Sequence, residues 1–363
     1  MSIPLPVDGE RFAALALWCV PALGEAEIAR RTRRAGSLEA VLAELPAARE
    51  AGLRALEAAA ALGAQILLPG DAAWPPRFSD LKRKVGALFV RGELRAEKTG
   101  LAPAIAIVGS RHATAHGLSF AEHLASDLGR AGSTIISGGA LGIDGAAHRG
   151  ALGVGGATVA VLGSGLDRLY PPQHVPLLEQ ISERGGALVT EYPFGTAPLP
   201  GLFPRRNRLI AALSQAVVVV QAAARSGSLV TAREAAVLGV PVLAVPGSPG
   251  DAVAEGTNEL LRNGAKLCTG SDDVRRLFDQ TPGEPTAQRR VTGRTAGRVA
   301  TGDVTLDRVA ALLGVSPRHL DELSSAAGLS AARTAAVMAR LELMGLAHRA
   351  PGGQFCRPPR DQP

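Results

Sequence analysis

The chain has 363 residues, 46% of them hydrophobic and only 3% aromatic, with a formal net charge of +6. That length accommodates two or three domains of about 150 residues each and a sizeable core. Cys19, Cys268 and Cys356 stand far apart without CxxC spacing, which excludes a disulfide framework and a zinc cluster; no apolar run approaches the roughly 20 residues of a membrane span.

The first unit, residues 1–70, reads as helical from its alanine, leucine and glutamate content. Leu15–Val20, the turn Pro21-Ala22-Leu23-Gly24 and Glu25–Ala35 give a helix, tight turn and helix, with a weak likeness to a helix-hairpin-helix or sterile-alpha-motif fold. A DNA-binding hairpin carries glycine on both sides of its central apolar residue, and Ala22 occupies the first of those places. This unit holds 7 basic against 8 acidic residues, so packing or protein interaction is the favoured role over DNA binding. Asp8 and Glu10 precede its first apolar run where a signal peptide has a basic start, which points to the cytoplasm.

Residues 71–280 carry 21 basic and 18 acidic side chains. After a short strand-like element, Leu88–Arg91, six apolar runs follow: Ala104–Gly109, Ser133–Gly138, Ala157–Gly163, Ala187–Tyr192, Ala216–Ala222 and Pro241–Gly247. Helical patterning fills most of the intervals, so the expected architecture is α/β with a parallel Rossmann-like sheet. In an open parallel sheet ligands collect at the carboxyl ends of the strands. Three segments fall there. Gly109-Ser110-Arg111 is the first turn, whose guanidinium is able to fork onto a phosphate or pair with a carboxylate such as Asp144. Phe203-Pro204-Arg205-Arg206-Asn207-Arg208 places three arginines beside a ring. Ser226, Gly227 and Ser228 lie between the valine-rich run and a helix, where free amides and the helix dipole favour an anion; the alternative is a simple helix cap.

From 281 to 302 the sequence is rich in Thr, Gly, Pro and Arg and reads as a linker. Beyond it Leu306–Leu313, Pro317–Ala327 and Ala331–Met344 form three amphipathic segments, and Leu346–Arg357 a hairpin, which together predict a winged helix over 303–363. Arg333 and Arg340 would face duplex DNA, but the third segment lacks the Asn or Gln that reads adenine edges, so protein and DNA partners both stay open.

The motifs Ile107–Arg111, Ser137–Leu152, Val161–Pro171, Glu191–Ser214, Ser226–Ala232 and Val245–Gly247 occur in the order and spacing of the DNA-processing protein A family, DprA or Smf, over roughly 170 residues, and the chain resembles it closely. The resemblance implies an extended Rossmann-like domain that binds single-stranded DNA, forms a homodimer, protects incoming DNA and loads the recombinase RecA during natural transformation, with no enzymatic activity, metal or cofactor. Gly109, Ser110, Arg111, Phe203, Arg205, Arg206, Asn207, Arg208, Ser226, Gly227 and Ser228 match the family's DNA-contacting positions as main-chain, basic and stacking groups. Asp144 and His148, one helical turn apart, read instead as structural hydrogen-bonding residues. Gln221 departs from the family, which usually has glutamate there.

Two other classes compete. A Rossmann enzyme like the nucleotide phosphoribohydrolases would need a PGGxGTxxE loop; Ser226–Glu234 retains Thr231 and Glu234 but has Ser228-Leu229-Val230 where the glycines belong. No nucleophile and base pair is evident to support it. A transcription regulator led by the winged helix leaves the central motifs without a purpose.

Overall fold

Strands β1 (Ala64–Leu67), β2 (Leu88–Gly92), β3 (Ala104–Val108), β4 (Thr134–Ser137), β5 (Thr158–Val161), β6 (Ala187–Thr190), β7 (Ala216–Val219), β8 (Val242–Ala244) and β9 (Lys266–Leu267) build one sheet in the order β1-β2-β6-β5-β4-β3-β7-β8-β9. The computed structural model describes residues 9–21, 23–94, 103–278, 303–313, 318–350 and 354–356. The pairings from β6 to β9 are parallel, whereas β2 runs antiparallel to both β1 and β6. All six apolar runs of the sequence are strands, because β-branched segments flanked by helical segments are stable only when both faces are covered.

The alternation along each strand assigns those faces. In β3, Ala104, Ala106 and Val108 join one core with Leu209–Leu213, Leu229 and Ala235, while Ile105 and Ile107 join another with Leu124, Leu128 and Ile143. Helices α8 (Leu202–Ala212) and α9 (Ser228–Val237) therefore cover the first face, and α5 (Ala115–Arg130) and α6 (Ile143–Gly153) the second. A third cluster joins Phe89, Ala160, Leu162 and Leu188 to α7 (Val175–Glu183) and to α1 (Gly9–Trp18) and α4 (Pro46–Ala61) through Leu15, Cys19 and Ala55. Helices α2 (Glu25–Ala35) and α3 (Leu38–Ala43) complete the N-terminal bundle, α10 (Glu255–Arg262) packs on β8, and α11 (Ser271–Arg275) packs against α5.

One local expectation needs correction. Residues 64–67 belong to a stretch read as helical, yet they form β1, paired with Leu88–Arg91 of β2. Alanine and leucine tolerate either conformation, and the available edge of β2 decides it.

Contact density divides the chain into Met1–Thr281 and Pro282–Pro363. The second unit holds α12 (Val304–Leu312), α13 (Leu320–Ala327) and α14 (Ala331–Leu343) around Leu306, Val309, Leu323, Met338, Leu341 and Phe355. Its three-stranded sheet is ordered β10 (Arg318–His319), β12 (Gln354–Cys356), β11 (His348–Ala350), the arrangement of a winged helix. The segment read as Pro317–Ala327 is thus helical only from Leu320, since Arg318 and His319 pair with the wing; Pro317 and the linker at 281–302 lie outside the described residues.

Candidate nucleic-acid interface

Strand β3 is the point where the order of the parallel strands reverses: β4 lies on one side of it and β7 on the other. The chain after β3 and the chain after β7 must leave in opposite directions there, which opens a crevice at the carboxyl ends. A cleft of about 560 Å³ occupies that crevice, between Gly109-Ser110-Arg111, Ala140, Asp144, Tyr170, the start of α8 and the segment Ala223–Ser228. The Ser110 amide donates to the Gln221 carbonyl (2.7 Å) and ties the two loops together. Gly109 permits this approach, since a Cβ at that position would lie 2.6 Å from Ile143 Cγ1 and 2.9 Å from the Gln221 carbonyl oxygen.

Successive residues on a helix diverge by about 100°, and α8 sends its polar residues in separate directions. Arg206 is 3% exposed; its Nη1 donates to the carbonyls of Gly138 (2.7 Å) and Val161, and its Nε to Asn207 Oδ1 (3.1 Å). Asn207 Nδ2 in turn donates to the Gly227 carbonyl (3.0 Å), fixing the turn that opens α9. Arg208, also buried, pairs with Glu191. Arg205 is exposed and outside the cleft lining, its charge acting on Glu191 and Tyr192. The sequence reading of four adjacent contact residues therefore divides: Arg206 and Asn207 form the floor of the cleft, and Arg205 and Arg208 lie beyond it.

Burial governs the electrostatics of that floor. Desolvation raises the Asp144 carboxyl above its ordinary range, opposed by the neighbouring Arg206, and Asp144 accepts from the amides of Gly138 (3.1 Å) and Ala140 (3.4 Å). These bonds, and not a pair with Arg111, occupy the carboxylate. Desolvation likewise lowers Arg206 to about 10, with Asp144 opposing. Glu191 is raised by burial against the pull of Arg208 and Arg83, and Arg208 is lowered by burial against the pull of Glu191. His148 on α6 is fully buried, bonded through Nδ1 to Thr158 Oγ1 (2.8 Å), in keeping with a structural role.

The walls carry the exposed groups. Arg111 lies over the Phe203 ring, 5.5 Å from Cζ to the centroid, and Tyr170 meets Phe203 at 5.7 Å with an interplanar angle of 47°. In the turn before α9 the Ser226 amide donates to Ala223 (2.9 Å), the Ser228 amide to Ser226 Oγ (3.3 Å), and the two hydroxyls lie 2.8 Å apart. Two of the three amides expected to meet an anion are thus engaged within the turn, leaving the exposed Gly227, the hydroxyls and the positive end of the α9 dipole. Among the lining residues that the sequence did not single out are Arg225, exposed and adjacent to Ser226, and Tyr170, whose only signal was its place at the end of the Val161–Pro171 motif. Together the walls combine fixed positive charge with aromatic faces, the pairing that suits a polyanion carrying bases.

Residues 65–279 match the family profile described as DNA recombination-mediator protein A, and residues 294–353 match the DprA winged helix domain. Protein Smf of Synechocystis is 34% identical over 319 residues, spanning 81% of this chain and 80% of its own. Protein Smf of Escherichia coli is 44% identical over 209 residues, spanning 57% of this chain and 55% of its own. DNA processing protein A from Streptococcus pneumoniae superposes with a TM-score of 0.57 at 35% identity, covering 65% of this chain and 83% of that one. DNA processing protein A from Helicobacter pylori, a protein with a distinctive single-stranded DNA binding mode, superposes with a TM-score of 0.53 at 30% identity over 60% of this chain and 97% of its own. The match of the profile to more than half of the residues, together with that of a relative over four-fifths of both chains, makes this protein a member of the DNA recombination-mediator protein A family.

Proposed function

We propose that the chain is a single-stranded DNA-binding recombination mediator that holds incoming DNA and loads RecA during natural transformation, acting in the cytoplasm as a homodimer and catalysing no reaction. The observation that carries this reading is the cleft at the β3/β7 reversal, where Arg111, Arg225, two aromatic rings and the Ser226-Gly227-Ser228 turn converge. The H. pylori relative, described by its single-stranded DNA binding, supports it. Gly109, Ser110, Arg111, Phe203, Ser226, Gly227 and Ser228 are assigned to the DNA; Arg206 and Asn207 shape the cleft, and Arg205 meets phosphates outside it. Binding is assigned to residues 71–280, with 1–70 and the winged helix of 303–363 as accessory domains, the latter a candidate for duplex DNA.

Titration of the protein with poly-dT and with duplex of equal length at several salt concentrations tests the reading. Tighter binding of poly-dT, with a log-log salt slope of about −0.7 for each phosphate contacted, is the expected result. Equal affinity for both polymers would overturn it.

A further inference from the structure

We infer that Lys82 and Lys84, in the loop before β2, hold phosphates of the single strand after it has left the cleft. The inference rests on the cleft being the single-strand site and adds a second, separate contact region on a different segment. Topology brings that segment to the right edge. Because β2 runs antiparallel to β6, with Phe89 opposite Thr190 and Gly92 opposite Ala187, the residues that precede β2 emerge at the carboxyl edge of the parallel strands, where the cleft also lies. Leu81 and Val85 anchor the loop in the core that contains Leu209 and Leu213, which puts it on the α8 side of the sheet. Lys82, Arg83 and Lys84, between those two anchors, are exposed.

The surface between loop and cleft is positive. Glu191, at the end of β6, pairs with the buried Arg208 and lies 3.7 Å from Arg83, and the charge of Arg205 acts on it as well. Arg205 stands next to Pro204 and Arg206, which line the cleft, and so connects the cleft rim to the loop. Asp80 is the only acidic residue from 72 to 92, and Glu25 accepts from the Lys84 amide (3.0 Å). Five cations therefore face three carboxylates. Lys84 Nζ donates to the uncharged Ser79 carbonyl, and Lys82 has no ion pair among the described residues. Four steps in strand order separate β2 from β3, about 19 Å at about 4.8 Å each, so a strand held at Arg111 reaches the lysines by running along this edge. A protein partner fits the patch less well. Protein interfaces are anchored by large buried side chains, and none of the exposed large apolar residues lies between 76 and 94. Flexible ammonium groups suit a backbone recognised by charge alone.

The test compares the parent with Lys82→Ala/Lys84→Ala, with Lys82→Arg/Lys84→Arg, and with Arg184→Ala, which removes an exposed charge just before β6, at the opposite edge of the sheet. Each is titrated with oligo-dT of about 3 and about 16 nucleotides at several salt concentrations; at about 3.4 Å per stacked nucleotide only the longer spans 19 Å. Thermal melting confirms folding. On the longer strand the double alanine variant should bind roughly 5- to 25-fold more weakly at 0.1 M salt, with a log-log slope flatter by up to about 1.4, two contacts at about 0.7 each. On the shorter strand it should bind as the parent does. The double arginine variant and Arg184→Ala should match the parent on both. An unchanged slope on the longer strand, an equal loss on both strands, or an equal loss in Arg184→Ala overturns the inference. Arg111→Ala separates the two levels: if it weakens binding at both lengths while the double alanine variant changes neither, only the lysine contacts fall. If the parent binds neither strand, or Arg111→Ala leaves affinity and slope unchanged, the cleft reading falls and this one with it.

Discussion

The Trp18 indole Nε1–H donates to the main-chain carbonyl of Glu191, 2.9 Å away, and so joins the first helix to the end of β6. The same indole fills the space over Gly86, where a Cβ would lie 2.4 Å from Trp18 Cε3. Leu15 on the same helix and Cys19 just after it share a core with Phe89 and Leu188 of the sheet, and β1 supplies the edge partner of β2. The N-terminal helices are thus part of what closes one face of the sheet.

Truncation to residues 71–280 is therefore expected to lower the melting temperature and expose apolar surface that binds a hydrophobic dye. No residue that lines the cleft comes from residues 1–70, so single-strand affinity of the folded fraction should be largely retained. An unchanged melt would mean that α1, α4 and β1 contribute little to the sheet.

Arg111 and Arg206 should separate in behaviour. Arg111 is exposed, so Arg111→Ala should melt as the parent does and flatten the salt slope of poly-dT binding by about 0.7. Arg206 bridges Gly138, Val161 and Asn207, and its removal leaves buried carbonyls without donors and Asp144 without its neighbouring charge. Arg206→Ala should cost about 3–5 kcal/mol of stability, measured by chemical denaturation, and weaken binding through loss of the cleft floor. A normal denaturation midpoint for Arg206→Ala would refute that role.

His148 gives a pH dependence with a definite sign. Burial, reinforced by the charges of His174, Arg206 and Arg149, lowers it to about 3 from an ordinary 6.5. Thr158 Oγ1 donates its single proton to the Ile135 carbonyl (2.8 Å), so His148 Nδ1 must be the donor in its bond to Thr158, and the ring is neutral in the fold. Between pH 6.5 and about 3 the unfolded chain binds the proton that the folded chain refuses, so stability falls as pH falls through that window. Denaturation midpoints for His148→Leu should show less of this fall than those of the parent; identical pH profiles would rule the residue out as its source.

Gln221 closes the start of α5. Its Oε1 accepts from the Thr114 amide (3.0 Å) and its Nε2 donates to Thr114 Oγ1 (2.9 Å), while Thr114 Oγ1 caps the helix by accepting from Gly117 (3.1 Å). A carboxylate at this place keeps the first bond, is able to accept from the Thr114 hydroxyl in place of the second, and gains from the helix dipole. Gln221→Glu should leave stability unchanged or raise it by about 0.3–1 kcal/mol at low salt, and a clear loss in thermal melting would contradict this account.

The strands were legible because runs such as AVVV admit few other conformations, and the loops that follow them could be placed at the carboxyl edge from strand order alone. The side-chain directions on α8 were not. Three arginines in four residues look solvated, yet Arg206, Asn207 and Arg208 precede the wholly buried Leu209–Ala212, which marks a helix enclosed on every side beyond Arg205. The partners that make burial tolerable, Glu191 and the carbonyls of Gly138 and Val161, are contributed by segments 17 to 68 residues away in sequence. β1 escaped notice for a related reason: its partner β2, and not its own composition, makes it a strand.

The three consecutive anchors on α8 also fix the spacing of the chain around them. Arg206 reaches β5 and the loop after β4, Asn207 reaches the turn before α9, and Arg208 reaches the end of β6. Inserting or deleting one residue between Phe203 and Arg206 would swing the ring by about 100° relative to all three, carrying it away from Arg111 while leaving the anchors in place. Length in this short segment is therefore as constrained as residue identity, and changes in loop size among proteins of this architecture should be accommodated before Gly201 or after Ser214, outside the span that the helix locks.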